Sequence, residues 1–278
     1  MSIAILFAVL GSAFLHALWN GLIKTGTSRL GAMVVLSIGE VPIGLTVAML
    51  RPGLLPEAWK WVLMAGCAHF FYKFFLTYAY ERGDLSRVYP IARGAAPLVV
   101  ALAGPFLLND QLSLHEYAGI VVLGAGILLM AQGIFSNGEN RKMLPFALGS
   151  ACATASYTLL DGTGARVAGD AIAYVAWVFV ADGVFFASGM LLWKGFAVLP
   201  RQAKPWGSGL IAAAASYGAY GVSVWAMTKA PIAVVAAVRE TSILFAVLIG
   251  WLVFGEKMTR GKAIAACVIV SGVILTRL

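Results

Sequence analysis

The sequence predicts an all-α membrane protein of ten transmembrane helices, arranged as two inverted five-helix repeats. Three observations carry that reading. Of 278 residues, 61% are hydrophobic and only 12% are charged, where an ordinary soluble domain has about 25% charged. So little charge cannot cover a globule in water. Apolar windows recur along the whole chain, each near the roughly 20 residues that a helix needs to cross hydrocarbon. Finally, short stretches of the first half return, in the same order, in the second.

The windows lie at 2–23, 30–50, 58–80, 87–108 and 114–135, then at 144–163, 171–193, 206–228, 232–254 and 261–277. Backbone polar groups in lipid are satisfied only by helices or closed barrels, and continuous apolar runs without strict alternation mean helices. The first window lacks a basic leader and is too long for a signal peptide. Turn and charge signals separate the windows, as at Arg51-Pro52-Gly53, Asn137–Lys142 and Pro200–Pro205. In the fourth window Pro90 and Pro97 flank Gly94, which predicts a kink near Arg93. The ninth has Pro231 only at its start.

Leu10–Asn20 matches Leu148–Thr158 at five of eleven positions, with Trp19 opposite Tyr157. A second match aligns Arg93 with Arg239, Leu98 with Leu244, Leu102 with Leu248 and Gly104 with Gly250. Two halves result, 1–138 and 139–278, with five spans each. An odd number of spans inserts the second half upside down. Such inverted repeats are typical of secondary transporters, whose site lies where the repeats meet.

These stretches resemble the EamA family of the drug/metabolite transporter superfamily along the entire chain. Leu15-His16-Ala17-Leu18-Trp19-Asn20 carries the resemblance, as do Leu108–Ser113 and its cleaner copy Phe254-Gly255-Glu256-Lys257-Met258-Thr259. The first junction departs from the family pattern, with Asn109 where glycine is usual. The resemblance implies ten helices, spans 1–4 and 6–9 around a central cavity, spans 5 and 10 outside, and efflux of amino acids or related metabolites.

The net charge of +8 is a topology signal, and nucleic acid is not needed to explain it. Only Lys73, Arg93, Arg239, Glu40, Asp182 and Glu240 fall well inside spans, three of each sign. Of the remaining bases, five lie at the ends on the amino-terminal face and twelve at the opposite ends. The positive-inside rule then puts both termini outside, whereas the resemblance puts both inside.

Ionisable groups in hydrocarbon cost about 2.5–3.5 kcal/mol each on insertion scales, which makes them functional candidates. Arg93 and Arg239, in corresponding spans, offer forks for an anionic solute group. Their competing role is ion pairing, Arg93 with Glu40 and Arg239 with Asp182. His69 and Lys73 are four residues apart on one helix face, with Tyr72 and Tyr80 nearby, and span 8 supplies Ser216 and Tyr220 in their place. His69 suits proton coupling. Glu40 and Asp182 fit either proton carriage or a counter-ion role to Arg93, Arg239 or Lys73, the latter favoured; Glu240 neighbours Arg239. Trp19 and Tyr157, with His16 and Asn20, are cavity-lining candidates. The binding candidates are thus Arg93, Arg239, His69, Lys73, Trp19, Tyr157, Tyr72 and Tyr220.

The reading is a secondary active transporter, an exporter by resemblance, of small organic metabolites such as amino acids, working by alternating access in the plasma (inner) membrane. A proton is the candidate coupling ion, and a monomer or weak homodimer is expected. No metal, cofactor or nucleic-acid site is called for: Cys67, Cys152 and Cys267 are far apart, and there is no ATP-binding loop. The alternatives are an integral membrane enzyme, for which His115-Glu116 lacks the second histidine of a metalloprotease motif, and a lipid-handling protein.

Overall fold

The computed structural model describes residues 1–25, 28–83, 85–94, 96–107, 110–131, 141–255 and 258–277. Within them the regular structure is all helical. The α-helices are α1 (Ile3–Thr25), α2 (Arg29–Met49), α3 (Trp59–Tyr80), α4 (Leu85–Gly94), α5 (Ala96–Leu107) and α6 (Leu114–Ala131), then α7 (Leu144–Val167), α8 (Ala171–Lys194), α9 (Ala203–Met227), α10 (Ile232–Arg239), α11 (Ser242–Phe254) and α12 (Arg260–Leu275). The half boundary at 138–139 and the junction residues Leu108, Asn109, Glu256 and Lys257 lie outside the described residues.

Six stretches are long and apolar enough to cross a membrane: Ile3–Ile23, Arg29–Met49, Pro56–Tyr80, Ala171–Lys194, Ala203–Met227 and Ile232–Val253. Shorter apolar helices run over Ile91–Gly104 and Leu114–Met130. The chain is therefore a multi-pass membrane protein. α7 has the length for a crossing, 24 residues, but carries Thr154, Thr158 and Asp161 on its buried side. That polarity points inward. Large apolar side chains such as Phe7, Leu102, Phe106 and Leu252 are turned outward, as a lipid-facing surface requires.

Local sequence starts and stops the helices. Ser28 Oγ accepts the Gly31 N–H ahead of α2, and Asp170 Oδ1 accepts those of Ile172 and Ala173 ahead of α8. Before α6, Ser113 and Glu116 bond reciprocally to each other's backbone N–H, a capping box. α11 ends at Gly255 in the left-handed conformation, φ 66°, which glycine adopts without steric cost.

The most extensive contacts pair helices from different halves: α1 with α9, α3 with α7, α2 with α8 and α6 with α12. Exchanging the halves turns the first pair into the second and returns the last two to themselves. That is the signature of a two-fold axis between repeats. It holds at atomic detail where α2 crosses α8. A Cβ on Gly44 would sit 2.6 Å from the Ala176 carbonyl oxygen, and one on Gly183 would sit 2.6 Å from that of Ser37. Gly44 and Gly183, like Ser37 and Ala176, are 139 positions apart. Small residues at a crossing let backbones approach closely, which substitutes in lipid for a hydrophobic drive between helices.

Span 9 is two helices: α10 ends at Arg239 and α11 begins at Ser242. Nothing in the proline pattern predicted that division, and the kink expected near Arg93 falls at residue 95, which lies outside the described residues. At Glu240-Thr241 the ladder shifts to three-residue bonds, with Glu240 N–H to Ala237 O at 3.0 Å and Thr241 N–H to Val238 O at 3.0 Å. The Thr241 hydroxyl also bonds to Val238 O at 2.8 Å. Arg239 occupies the last turn of a short helix, where a cation is favoured by the helix dipole.

Candidate functional site

Where α1, α2, α3, α7, α8 and α9 converge, polar side chains are buried together. They surround a space of about 20 Å³ walled by His16, Trp19, Lys73, Asp182 and Ser216 among others, enough for about one water molecule. The centre is closed around its own side chains.

One wall is a three-charge cluster. Lys73 Nζ meets Glu40 Oε2, Asp182 Oδ2 at 2.6 Å and the Ser37 hydroxyl at 3.0 Å, and the Ser216 hydroxyl donates to the other Glu40 oxygen at 2.9 Å. Both acids are therefore counter-ions of Lys73. Of the partners the sequence left open for these acids, Arg93, Arg239 or Lys73, the fold selects Lys73 for both. The reason is geometric: α2 and α8 cross each other against α3, so their carboxylates converge on one lysine. Two carboxyl groups thus share one ammonium, and Asp182 Oδ1 makes no hydrogen bond.

A second cluster centres on Asp161, which was not among the sequence candidates. Its carboxylate is fully buried. Oδ2 lies 2.8 Å from His69 Nε2 and accepts the Tyr220 hydroxyl; Oδ1 accepts that of Tyr174 at 3.0 Å. The count of intramembrane charges from sequence, three against three, thus omits one acid. Asp161 lies near the end of window 144–163, where the apolar pattern gives out before α7 does. The His69 ring stacks on Tyr157 at 4.2 Å between centroids and meets Tyr220 edge-on at 5.1 Å.

The arginines form the third group. Arg93 donates to both Glu240 oxygens, Nε at 3.0 Å and Nη2 at 2.6 Å, and its Nη1 donates to the Tyr157 hydroxyl at 3.1 Å. Arg239 is different. Its guanidinium lies 5.8 Å from the Tyr157 ring centre and 5.6 Å from that of Tyr220. Nη2 reaches Thr158 Oγ1 at 3.3 Å, while Nε and Nη1 are buried with no hydrogen-bond partner. Each unmet buried donor costs about 1–3 kcal/mol, and the two rings return part of that. Arg239 is a buried cation one tyrosine ring behind the cavity wall.

Of the sequence candidates, His69, Lys73, Trp19, Tyr157, Tyr72 and Tyr220 line the central space with Glu40 and Asp182; Arg93, Arg239 and Glu240 stand behind it. Trp19 Nε1 donates to His16 Nδ1 at 3.2 Å, and Tyr80 donates to Asn20 Oδ1 at 3.0 Å, so the α1 patch is internally bonded. Phe71 faces outward, whereas Phe70 and Phe74 pack against Phe186 and Trp193.

A wider polar vestibule of about 550 Å³ opens on the amino-terminal face, lined by Arg51, Arg166, Asp170, Trp225, Thr228 and Lys229 among others. Arg51 pairs with Asp170 at 2.9 Å. Arg166 clasps both Asp110 oxygens, at 2.6 and 3.0 Å, and the Met227 and Ala230 carbonyls. Asp110 in turn accepts the Ile232 N–H at 2.8 Å, so an acid of the first half caps α10 of the second.

A family model, the EamA-like transporter family, matches residues 2–132 and again 141–278. The chain belongs to that family. It is thereby placed in the drug/metabolite transporter superfamily, and the two matched segments coincide with the two halves that the helix pairings relate. Among solved structures, one titled "Crystal structure of protein" aligns with a TM-score of 0.77 at 18% identity, covering 99% of this chain and 98% of that one. At that identity the likeness shows the fold alone. A comparison with curated proteins gave no match.

Proposed function

We propose that this EamA-family protein is a secondary transporter of small zwitterionic metabolites such as amino acids, working by alternating access between the two halves. The observation that carries the solute class is the pairing of two unmet groups of opposite sign. Asp182 Oδ1, in a cluster where two carboxyl groups share one ammonium, is set to take a cationic amino group. Arg239, with two unmet N–H donors, is set to take a carboxylate. Between them His69, Tyr157 and Tyr220 supply flat apolar surface. The arrangement suits a solute with charged ends and an apolar or aromatic body.

Ten crossings, a half boundary near residue 138, export as the physiological direction and the plasma (inner) membrane as location belong to the same proposal. They rest on the repeat pattern and the family resemblance. Thermal unfolding of purified protein against amino acids, their decarboxylated amines and their deaminated acids tests the solute class. A ligand of the native state raises the midpoint by mass action. Zwitterions are expected to raise it and the single-charge analogues to fail; equal shifts from amines alone would overturn the reading. Counterflow of the stabilising solute in proteoliposomes then tests transport.

A further inference from the structure

We propose that the vestibule is itself a binding site, one that takes the carboxylate end of a small organic solute ahead of the central cavity. Its role as a capture site rests on the transporter reading above; its preference for an anion does not.

Size separates the two spaces. The centre holds about one water molecule, whereas the vestibule, at about 550 Å³, is in the range of small-molecule sites. In this conformation a solute arriving from the amino-terminal face finds room in the vestibule and none at the centre.

The chemistry follows from which polar groups are already spent. Asp170 uses Oδ1 on the Ile172 and Ala173 N–H groups and Oδ2 on Arg51. Asp110 uses both oxygens on Arg166 and one of them also on the Ile232 N–H. Neither acid has an oxygen without a partner. Arg166 is spent in the same way, on Asp110 and on the Met227 and Ala230 carbonyls.

The surplus is in donors. Lys229, in the turn between those two carbonyls, is exposed and pairs with no acid among the described residues. Arg51 gives only Nη2 to Asp170. The Tyr217 hydroxyl, in electrostatic reach of both Arg51 and Asp170, is buried without a partner. Two arginines are balanced by two acids, so Lys229 gives this group of five a net positive charge. Free donors beside satisfied acceptors select an anion, and Trp225 adds an apolar wall.

The site also points inward. Trp225 is five residues along α9 from Tyr220, about 7.5 Å, and Arg239 lies 5.6 Å from the Tyr220 ring centre. Lys229 at the mouth and Arg239 behind the cavity wall are two cations in series, and a carboxylate passes from the first towards the second.

The test follows fluorine NMR of protein labelled with fluorotryptophan in detergent, where Trp225→Phe identifies one signal among eight. The probe is phenylpropionate, a carboxylate without an amine. It is expected to shift the Trp225 signal saturably, with a dissociation constant on the order of millimolar, because half-exposed charges give little each. Lys229 is exposed, so its variants keep the fold: Lys229→Gln is expected to weaken binding at least threefold, Lys229→Glu at least tenfold, and Lys229→Arg to retain it. Phenethylamine, an amine without a carboxylate, is expected to leave the signal in place. Arg239→Met is expected to leave the phenylpropionate response intact, which separates the vestibule from the central site. A signal that does not move, that moves equally with phenethylamine, that ignores Lys229→Glu or that is lost in Arg239→Met overturns the proposal. At concentrations well below millimolar so weak a site adds almost nothing to stability, so the thermal test of the solute class stands apart. A phenylpropionate response without stabilisation by L-phenylalanine counts against that solute class and supports the vestibule site.

Discussion

Arg93 of the first half closes a two-pronged ion pair on Glu240 of the second, and the matching Arg239 meets no carboxylate among the described residues. The cause is one residue. Position 240 corresponds to position 94 under the offset that superimposes the two arginines, and position 94 is glycine. A Cβ at Gly94 would already collide with Ile127, so an acid has no room there. A symmetric scaffold thus yields one satisfied and one unsatisfied arginine, and with them a cavity that distinguishes its two ends.

Removing one member of a buried pair leaves the other charged and alone, at about 3–5 kcal/mol. Arg93→Ala and Glu240→Ala are each expected to lower stability by that order, read as a drop in the unfolding midpoint in detergent. Arg93→Met combined with Glu240→Leu is expected to recover most of the loss, because an apolar pair of similar volume carries no desolvation penalty. A double variant as unstable as the sum of the singles would refute this account.

Arg239 should behave in the opposite way. Its unmet donors and unpaired charge oppose folding, so Arg239→Met is expected to leave the midpoint unchanged or higher while solute-dependent stabilisation disappears. Sites that spend stability on function commonly show that separation. A loss as large as that of Arg93→Ala would make Arg239 structural.

At the α2–α8 crossing, Gly44→Val and Gly183→Val are expected to destabilise similarly, by about 1–3 kcal/mol each, since overpacking forces the backbones apart. Gly11, in α1 with nothing within 4 Å of its Cβ position, offers the contrast. Gly11→Ala is expected to stabilise by about 0.5–1 kcal/mol through reduced chain entropy. Unequal effects at Gly44 and Gly183 would argue against two-fold equivalence there.

Asp170 lies outside the spans and gives a pH signature. Partial burial pushes its carboxyl up, but the Ala173 and Ile172 N–H groups and the Arg51 guanidinium together hold it below the usual aspartate range. A carboxyl depressed by folding stabilises above its unfolded value of about 3.9 and ceases to do so as pH falls through the folded value. The penalty of Asp170→Ala is therefore expected to be full at pH 6–7 and to shrink as the pH is taken below about 4. A penalty constant from pH 7 to 3 would refute the assignment.

With ten crossings, the basic residues outside the spans divide twelve against five in favour of the face opposite the termini. A reporter fused after Leu278 that is active only in the cytoplasm is expected to stay silent. An active reporter would show that family architecture overrides the charge count.

Membrane solvation, helical class and two-repeat organisation were legible in the sequence because each is written along the chain. Span length and charge scarcity are local, and the matches at Leu10–Asn20 and Arg93 need only alignment. The identities of most buried polar side chains were legible too, since a charge within an apolar window stands out. Asp161 did not, lying where its window had already faded. The pairings were not legible either: which carboxylate meets which cation depends on how α2, α8 and α3 cross, and on a glycine at position 94 that excludes an acid. Sequence determined that charges would lie in the membrane. Only the tertiary structure decided which are matched and which are left open, because a charge's partner is set by packing across helices far apart in the chain.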